Sequence, residues 1–477
     1  MTVDLSSLNE KQIEAVKTVD GPVLILAGAG SGKTRCLTYR IAYLISLGIK
    51  PENILSITFT NKSANEIKNR VAKLLDGKAA SPTMGTFHSV CLRILRRDVE
   101  VLGYSRNFVI YDTSDQDSLM KTIMLDAGID IKKWNPKSML GSISELKSEL
   151  IGVVEFEGRA NSYKDTTIAA VYGAYQAALA RNNALDFDDL IVLTVELFQK
   201  HPEILERYQE LWRYILIDEY QDTNHAQYVW ANLLAKKYRN IAVVGDDSQS
   251  IYLFRHADIR NILDFEKDYP EAKIILLEQN YRSTQIILNA ANHIIEKNKG
   301  QKRKKLWTEN IEGELIMVKE ANDVREESEY VIDNIKDGAT ILYRTHAQSR
   351  AMEEALVRRG IPYRILGGLR FYERREIKDI LAYLRLIVNP NDTVSFNRIC
   401  NTPPRGLGPK ALQNKTEPYT RFMALMEELQ AKSQEVPLAS LIRFILKKID
   451  YELYLTGDKT VEGQERWENV KELLTAT

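Results

Sequence analysis

The sequence has few cysteines, no long apolar run and no excess of charge of either sign. Its three cysteines, Cys36, Cys91 and Cys400, lie far apart without metal-ligand spacing, so neither a disulfide framework nor a zinc site is supported. No segment approaches the ~18 uninterrupted apolar residues of a membrane helix, and Met1–Gln12 has no apolar run. We therefore expect a cytoplasmic protein.

The balanced charge limits the ways in which the chain can attract a polyanion. Lys+Arg and Asp+Glu both total 65, so nucleic-acid binding would need a local basic groove. Repeats and low-complexity segments are also missing. The 477 residues, 44% of them hydrophobic and 27% charged, are typical of an ordinary folded protein. At roughly 150 residues per domain, we expect about three domains.

Strand-like runs alternate with amphipathic segments near the start of the chain. Pro22–Ala27 and Ile54–Thr60 are strand-like, whereas Lys33–Ser46 and Ala64–Leu75 have helical spacing. Strand followed by helix, repeated, predicts a parallel sheet with crossover helices. Three later apolar runs are assigned to the same sheet: Tyr214–Ile217, Ile241–Val244 and Ile274–Leu277. Each ends in polar or acidic residues, where such a sheet has its carboxyl edge.

Other stretches follow a different pattern. From about Asp112 to Asn183 the chain is mostly helical and polar, which indicates a helical insertion. A second α/β block follows the basic run Lys297–Lys305, with a strand predicted at Thr340–Tyr343 and a helix at Ser349–Arg359. After about Lys378 only helical patterns remain.

A glycine-rich loop separates the first strand from the first long helix. Residues 27–34 read AGAGSGKT, in the context that a phosphate-binding loop requires. The glycines let backbone N–H groups point at phosphates, and the helix N-terminus adds a favourable dipole. We predict that Lys33 reaches the outer phosphates and Thr34 binds Mg²⁺. The usual pattern opens with glycine where this chain has Ala27, and the alternative is a plain strand–helix turn.

Two acids follow the apolar run Tyr214–Ile217. At a strand end of a phosphate-loop protein, one carboxylate holds hydrated Mg²⁺ and its neighbour orients or deprotonates the attacking water. We assign the first role to Asp218 and the second to Glu219. A helix cap is the alternative for an isolated acidic pair. It is disfavoured because the run continues as IDEYQDTN.

Four motifs together resemble those of the UvrD/Rep-type superfamily 1 DNA helicases: AGAGSGKT, IDEYQDTN, VVGDDSQSIY and NYRS. The resemblance runs from about Leu8 to Thr477. It implies an ATP-driven motor that moves 3′ to 5′ along single-stranded DNA, with ATP and Mg²⁺ as cofactors. Single/double-strand junctions and repair or replication proteins are the implied partners. The implied fold class is α/β, with two RecA-like parallel-sheet domains that each carry a mainly helical insertion.

The resemblance also divides the chain into domains. Residues 1–111 and 187–277 form the first RecA-like domain, and 112–186 its insertion. Residues 278–380 form the N-terminal part of the second domain, and 381–477 part of a second insertion. The family's GLE and TRA motifs do not occur, Leu412–Tyr419 looks short, and the tail Gly463–Thr477 resembles a segment that precedes them. We therefore expect a chain that lacks the C-terminal helicase motifs, as a fragment or with its second half on another chain, and impaired hydrolysis.

The resemblance assigns residues around the nucleotide. Gln12 matches an adenine-recognising glutamine, Tyr281 an adenine-stacking tyrosine, Arg282 a γ-phosphate-contacting arginine, and Gln249 the glutamine that couples the γ-phosphate to the strand-binding surface. The alternatives are a polar helix residue for Gln12 and a surface ion pair for Arg282. The implied catalytic set is Glu219, Asp218, Gln249, Arg282 and Lys33. The implied nucleotide-binding set is Gln12, Ala27, Gly28, Ala29, Gly30, Ser31, Gly32, Lys33, Thr34, Arg35, Tyr281 and Arg282.

The resemblance also implies a single-strand surface in which aromatic side chains stack on bases, at ~1–3 kcal/mol per base. Phe59 could instead be a core residue, and His88 a structural histidine. The implied DNA-binding set is Phe59, Asn61, Thr86, His88, Tyr252, Phe254 and Arg255. At two further positions the chain departs from most relatives, with Ser248 in place of an acid and His256 in place of glycine.

Two further segments are interpreted more weakly. Pro403–Gly408 resembles a hairpin that contacts the duplex backbone, with a plain interhelical turn as the alternative. The basic run Lys302–Lys305 is interpreted as a solvated loop rather than a phosphate contact.

Three functions compete. An ATP-dependent DNA translocase and helicase leads, and an ATP- and DNA-binding module without useful turnover is the main alternative. A phosphate-loop NTPase of unrelated purpose, such as a transporter motor or a kinase, comes third. No LSGGQ-like signature supports the transporter, and a small-molecule kinase would not need aromatic strand ends.

Overall fold

Two bodies of different size make up the protein. The computed structural model describes residues 3–75, 77, 81–298, 300–302, 304–336, 338–366, 371–457 and 460–475. Met1–Glu312 and Asp379–Tyr454 form the larger body, and Gly313–Lys378 with Leu455–Thr477 the smaller one.

A parallel sheet of six strands is the centre of the larger body. Its strand order is β3-β2-β6-β7-β1-β8, and a separate pair consists of β4 and β5. The strands are β1 (Val23–Ala27), β2 (Ile54–Ile57), β3 (Thr83–Gly85), β4 (Val109–Ile110), β5 (Ala184–Leu185), β6 (Tyr214–Ile217), β7 (Ile241–Gly245) and β8 (Lys273–Leu277). The predicted α/β class with a parallel RecA-like sheet is confirmed.

Helices cover both faces of this sheet, and they also build the rest of the chain. The helices are α1 (Glu10–Lys17), α2 (Lys33–Ser46), α3 (Asn61–Leu74), α4 (Phe87–Asp98), α5 (Thr113–Asp126), α6 (Pro136–Ser148), α7 (Val153–Arg159), α8 (Tyr163–Arg181), α9 (Phe187–Lys200), α10 (Pro202–Leu211), α11 (His225–Ala235), α12 (Arg260–Leu263), α13 (Phe265–Asp268), α14 (Gln285–Ile295), α15 (Val324–Asn334), α16 (Ser349–Arg358), α17 (Arg375–Val388), α18 (Thr393–Ile399), α19 (Pro409–Gln413), α20 (Glu417–Ser433), α21 (Leu438–Lys448), α22 (Tyr451–Thr456) and α23 (Val461–Thr475).

Alternate side chains of each strand enter different hydrophobic cores. Leu24 and Leu26 of β1 pack with residues of α4, α9, α10 and α11. Val23 and Ile25 pack with residues of α1, α2 and α3 on the opposite face. A strand buried on both faces must be apolar throughout. The runs that predicted the strands have this composition.

The segment between β4 and β5 is a helical insertion with its own core. Its helices α5, α6 and α8 bury side chains such as Met120, Ile143 and Tyr175 against one another. α6 begins at Pro136, and the side chain of Asn135 caps it by accepting from Lys137 N. Because β4 and β5 are hydrogen-bonded neighbours, the insertion begins and ends at nearly the same place.

The smaller body contains α15, α16 and α23. Its core includes Ile332, Ala355 and Leu356, and α16 begins at Ser349 as predicted. The strand predicted at Thr340–Tyr343 is wrong, since these residues form no strand. An extended segment becomes a strand only when its backbone groups pair with those of a neighbouring strand, and the described residues of this body contain no strand. Separately, no helix in the described ranges is both long enough and apolar enough to cross a membrane.

A buried lysine on α6 of the insertion pairs with two carboxylates at the start of α9. Lys147 on α6 is 1% exposed and donates to Asp186 Oδ2 at 2.6 Å and to Asp189 Oδ1 at 2.8 Å. Burial alone would lower the pKa of Lys147, but the two carboxylates keep it above its ordinary value. Tyr175 OH also donates to Asp186, at 3.2 Å. Each charge therefore depends on the others.

Replacing Lys147 by methionine should lower the free energy of unfolding by about 3–5 kcal/mol, because two buried carboxylates lose their cation. Lys200→Met is the matched control, since Lys200 pairs with Glu196 at 2.6 Å on the exposed side of α9. That pair should contribute about 0–1 kcal/mol. Urea denaturation of both variants measures the difference, and equal losses would contradict the assignment.

Candidate nucleotide and single-strand site

The loop between β1 and α2 is shaped by glycines. Gly30 and Gly32 have φ of +69° and +87°, in the left-handed region that glycine adopts without strain. A Cβ on Gly30 would lie 2.5 Å from Asn280 Nδ2, and one on Gly28 would collide with Leu306. The loop therefore forms a tight cradle of bare backbone at the start of α2, which suits a phosphate group.

Four predicted residues meet beside this cradle. Lys33 Nζ lies 2.9 Å from Glu219 Oε2, and Thr34 Oγ1 donates to Asp218 Oδ2 at 3.5 Å. Asp218 is 4% exposed, and burial together with the Glu219 carboxylate raises the pKa of Asp218 to about 7. A hydroxyl and a carboxylate oxygen are ligands that Mg²⁺ prefers, and an ammonium suits phosphate oxygens. The residues present thus fit a magnesium nucleotide.

The strand-end acids are held by a glutamine that the sequence analysis did not single out. Gln221 Nε2 donates to Glu219 Oε2 at 2.9 Å and to Asp222 Oδ2 at 3.2 Å. Glu219 itself has a φ of +51°. Burial and the Glu219 charge raise the pKa of Asp222 to about 6. Three acids therefore crowd this corner beside Lys33.

Gln12 lies against the phosphate-binding loop and is 1% exposed. Its Nε2 donates to Ser31 O at 2.9 Å, and its Oε1 accepts from Asn9 N at 3.2 Å in the capping box of α1. The donor and the acceptor of the Gln12 amide are therefore both bonded to backbone groups, and the bond to Ser31 joins α1 to the phosphate-binding loop. Arg35 donates to Ser7 O at 2.9 Å nearby.

Tyr281 and Arg282 follow β8 and approach the same loop. Tyr281 N donates to Gly30 O at 3.0 Å, and its half-exposed ring carries an OH that donates to Gln279 Oε1 at 2.8 Å. The Arg282 side chain is exposed. Asn280 organises this turn, since its Nδ2 donates to Ala29 O at 2.6 Å and its Oδ1 accepts from Arg282 N at 2.8 Å. The sequence analysis assigned no role to Asn280, although its place at the start of the NYRS motif was a signal for one.

The loop after β7 begins with two buried acids. Asp246 accepts from Gln249 Nε2 at 2.5 Å, and both Asp246 and Asp247 pair with Lys304, which is 7% exposed. The interpretation of Lys302–Lys305 as a solvated loop is therefore wrong for Lys304, whose ammonium is needed beside two buried carboxylates. Lys302 pairs with Glu266, and Arg303 lies outside the described residues.

Aromatic rings from two loops meet at the carboxyl edge of the sheet. Phe59, after β2, stacks on Tyr252, after β7, with centroids 5.4 Å apart and planes 21° apart. Phe254 lies 5.9 Å from Tyr252 and is 71% exposed. Arg255 Cζ lies 5.3 Å and 5.7 Å from the centroids of Tyr252 and Phe254. Phe59 is only partly buried, so the core alternative does not describe it.

Three further residues predicted to contact DNA lie at or near the starts of α3 and α4. Thr86 caps α4 by accepting from Ser89 N at 3.2 Å. The His88 ring lies edge-on to Phe187 with centroids 5.9 Å apart, and burial lowers the pKa of His88. Asn61 is the exposed first residue of α3.

The two positions that depart from most relatives, and the more weakly interpreted turn, also have defined contacts. Ser248 Oγ donates to Gln301 Oε1 at 3.1 Å, and His256 has a φ of +63°. In the turn between α18 and α19, Arg405 donates to Tyr383 OH at 2.5 Å and to Ile399 O at 3.0 Å. The Arg405 guanidinium thus donates hydrogen bonds to groups of the protein itself.

The fold and the glycine-rich cradle define a RecA-like phosphate-loop protein. Residues 8–270 match the family model described as UvrD/REP helicase N-terminal domain, and residues 275–475 match that of the UvrD-like helicase C-terminal domain. The chain therefore belongs to the UvrD/Rep-type family of superfamily 1 helicases.

Individual relatives agree with this assignment. The chain is 47% identical to ATP-dependent DNA helicase PcrA of Staphylococcus aureus over 512 residues, which cover 100% of this chain and 70% of that protein. PcrA of Bacillus subtilis strain 168 is 47% identical, with 99% and 69% covered, and PcrA of Staphylococcus epidermidis is 46% identical, with 100% and 70% covered. The predicted enzyme class, an ATP-hydrolysing DNA helicase, is confirmed.

The predicted lack of the C-terminal helicase region is wrong. The C-terminal domain model matches 275–475, which includes the segment that was taken to stop short of it. The prediction rested on the absence of two short motifs, GLE and TRA, on the short look of Leu412–Tyr419 and on the tail Gly463–Thr477. A family model instead weighs the whole segment, from the NYRS turn through the helices that follow.

The crowding at the cradle can be tested with alanine. Gly32→Ala places a Cβ 2.8 Å from Gln12 Nε2 at a φ of +87°, whereas Gly48→Ala has a φ of +92° in open space. Both should lose about 1–2 kcal/mol of stability from backbone strain. Gly32→Ala should lose measurably more in urea denaturation, because Gln12 must shift. Equal losses would show that the loop tolerates a side chain.

Proposed function

We propose that the protein is an ATP- and Mg²⁺-dependent motor that moves 3′ to 5′ along single-stranded DNA and unwinds duplexes at single/double-strand junctions, in repair or replication. The observation that carries this proposal is the convergence of two sites on one sheet edge. The Gln221 side chain bonds both to Glu219 after β6 and to Asp246 at the start of the loop after β7. The same loop carries Tyr252 and Phe254, which form the aromatic cluster with Phe59 after β2. The direction and the pathway rest on the family resemblance.

In this proposal the chain's residues divide the work on the nucleotide. The cradle and Lys33 hold the phosphates, Thr34 and Asp218 hold the metal, and Glu219 orients the attacking water. The bound Mg²⁺ would neutralise charge on the phosphate oxygens. Gln12, Tyr281 and Arg282 are proposed to contact the base and the γ-phosphate. The placement of Tyr281 beside Gly30 supports this part of the proposal.

The aromatic cluster is proposed to bind single strands by stacking. Phe254 is 71% exposed beside Tyr252, and Arg255 supplies positive charge in a chain without net charge. Stacking accepts any base, as a motor that moves along DNA of any sequence requires.

The nucleotide roles predict different outcomes for two variants. Lys33→Ala should weaken binding of magnesium ATP, because the phosphates lose their cation. Glu219→Gln should bind the nucleotide but lose turnover, because an amide cannot accept a proton from water. Nucleotide titration and phosphate release, each with and without single-stranded DNA, measure both effects. Lys50→Ala, at an exposed turn, is the control.

Two results would contradict the nucleotide assignment. Turnover of Glu219→Gln at the wild-type rate would remove Glu219 from the water-orienting role. Phosphate release by the wild-type protein that does not respond to single-stranded DNA would favour the binding module over the motor.

The stacking role predicts weaker strand binding. Phe59→Ala and Phe254→Ala should each lose roughly 1–3 kcal/mol of oligonucleotide binding, with little preference among bases. Titration of fluorescent single strands measures the change. Leu47→Ala is the control, since Leu47 is 53% exposed at the far end of α2. Unchanged affinity in both aromatic variants would contradict the assignment.

A further inference from the structure

Gln221 joins the two loops on which the proposed activity depends. Its side chain is 1% exposed. Its Nε2 donates to Glu219 Oε2 at 2.9 Å, and its Oε1 accepts from Asp246 N at 2.9 Å. One amide group therefore contacts both the carboxylate after β6 and the first residue of the loop after β7.

The backbone around Gln221 is built for this close approach. A Cβ on Gly245 would lie 2.5 Å from Gln221 Oε1 and 2.6 Å from Ile262 Cδ1. Only a residue without a side chain lets the amide reach the next backbone N–H. Ser250 Oγ adds a contact from the same loop, donating to Gln221 O at 3.4 Å.

The loop that Gln221 contacts carries the strand-binding rings. The Asp246 carboxylate accepts from Ser248 N at 3.1 Å and from Gln249 Nε2 at 2.5 Å, so the start of the loop is internally bonded. Six residues beyond Asp246, Tyr252 stacks on Phe59. Tyr252 is therefore only three residues beyond Gln249, whose side chain is bonded to Asp246.

Glu219 has two donors on one oxygen. Lys33 Nζ and Gln221 Nε2 each lie 2.9 Å from Glu219 Oε2. In the proposed function Lys33 turns to the phosphates, and the neutral Gln221 amide then holds the carboxylate without competing for them. An uncharged donor suits this position because it orients the Glu219 carboxylate without adding a second cation beside it.

We infer that Gln221 is a positioning residue through which single-strand binding at the Asp246–Arg255 loop sets the orientation of Glu219. The inference rests on the proposed function and deepens it, because it names the side chain by which DNA regulates hydrolysis. The role inferred for Gln221 differs from those of the proposed nucleotide contacts, because it acts through its bonds to Glu219 and Asp246.

Two substitutions distinguish the donor of the Gln221 amide from its acceptor. Gln221→Met removes both the donor and the acceptor at similar volume. Gln221→Glu keeps an acceptor for Asp246 N but loses the donor to Glu219 and adds a third carboxylate beside Glu219 and Asp222. Gln209→Met is the matched control. Gln209 lies on α10, is 8% exposed, and donates to Leu233 O of α11 at 2.8 Å.

The main measurement is the ratio of kcat with single-stranded DNA to kcat without it. This ratio should fall roughly fivefold to tenfold in both Gln221 variants, a typical size for lost coupling between sites. Dissociation constants for a fluorescent oligonucleotide and for a non-hydrolysable ATP analogue should stay within about twofold. The Gln209→Met control should keep the wild-type ratio.

A second measurement needs no nucleotide. Hydrogen–deuterium exchange of a peptide covering residues 243–249 should speed up in Gln221→Met, since Asp246 N loses its acceptor, and stay near wild type in Gln221→Glu. A wild-type kcat ratio in Gln221→Met would overturn the inference alone. Loss of oligonucleotide binding in both Gln221 variants would also overturn it, by showing a purely structural role. Absence of DNA stimulation in the wild-type protein would instead overturn the proposed function and this inference with it.

Discussion

The parallel direction of all six strands is the constraint on which the site depends. In a parallel sheet every strand ends at the same edge, so the residues that follow β1, β2, β6, β7 and β8 must gather there. Side chains more than 200 positions apart in the chain, such as Lys33 and Asp246, are thereby brought to one corner. If β6 or β7 ran antiparallel to its neighbours, the acids or the rings that follow it would lie at the opposite edge of the sheet.

Charge compensation is the second constraint. The chain has no net charge, yet several of its ionisable groups are buried. Three lysines are paired with carboxylates in or near these buried places. Lys147 meets two carboxylates, Lys304 meets two more, and Lys33 meets Glu219. Each pair joins segments that are distant in sequence. Such pairs add little stability over apolar packing, but they tolerate no loss of one partner, so they fix the arrangement of the segments.

Much of the sheet and the location of the site could be predicted from local sequence. Apolar runs marked β1, β2, β6, β7 and β8 because strands buried on both faces must be apolar, and AGAGSGKT marked the cradle because its glycines are needed locally. The three-residue β3 was missed, since so short a strand has no periodicity to read. Thr340–Tyr343 had strand-like composition but forms no strand, because a strand needs a ladder with another segment, which is not a local property of the sequence.

The contacts of Gln221 and Lys304 could not be predicted for a related reason. A glutamine inside an acidic run and a lysine inside a basic run both look like solvated polar residues. Lys304 pairs with Asp246 and Asp247, and Gln221 accepts from Asp246 N, so both roles depend on segments that only the fold brings together. The likeness of the whole chain to helicases identified the family, while the individual hydrogen bonds required coordinates.

The pairing of β4 with β5 has a consequence for how such a protein is assembled from parts. Val109–Ile110 leads into the helical insertion, and Ala184–Leu185 leads out of it, side by side. Adjacent strands lie about 5 Å apart, so the point of departure and the point of return are nearly one place on the host. A body attached in this way can be lengthened away from its stem with little disturbance to the register of the sheet. Exchange of the whole insertion is more demanding, because Asp186 and Asp189 on the host would lose their buried cation unless Lys147 were kept or both acids were replaced with it.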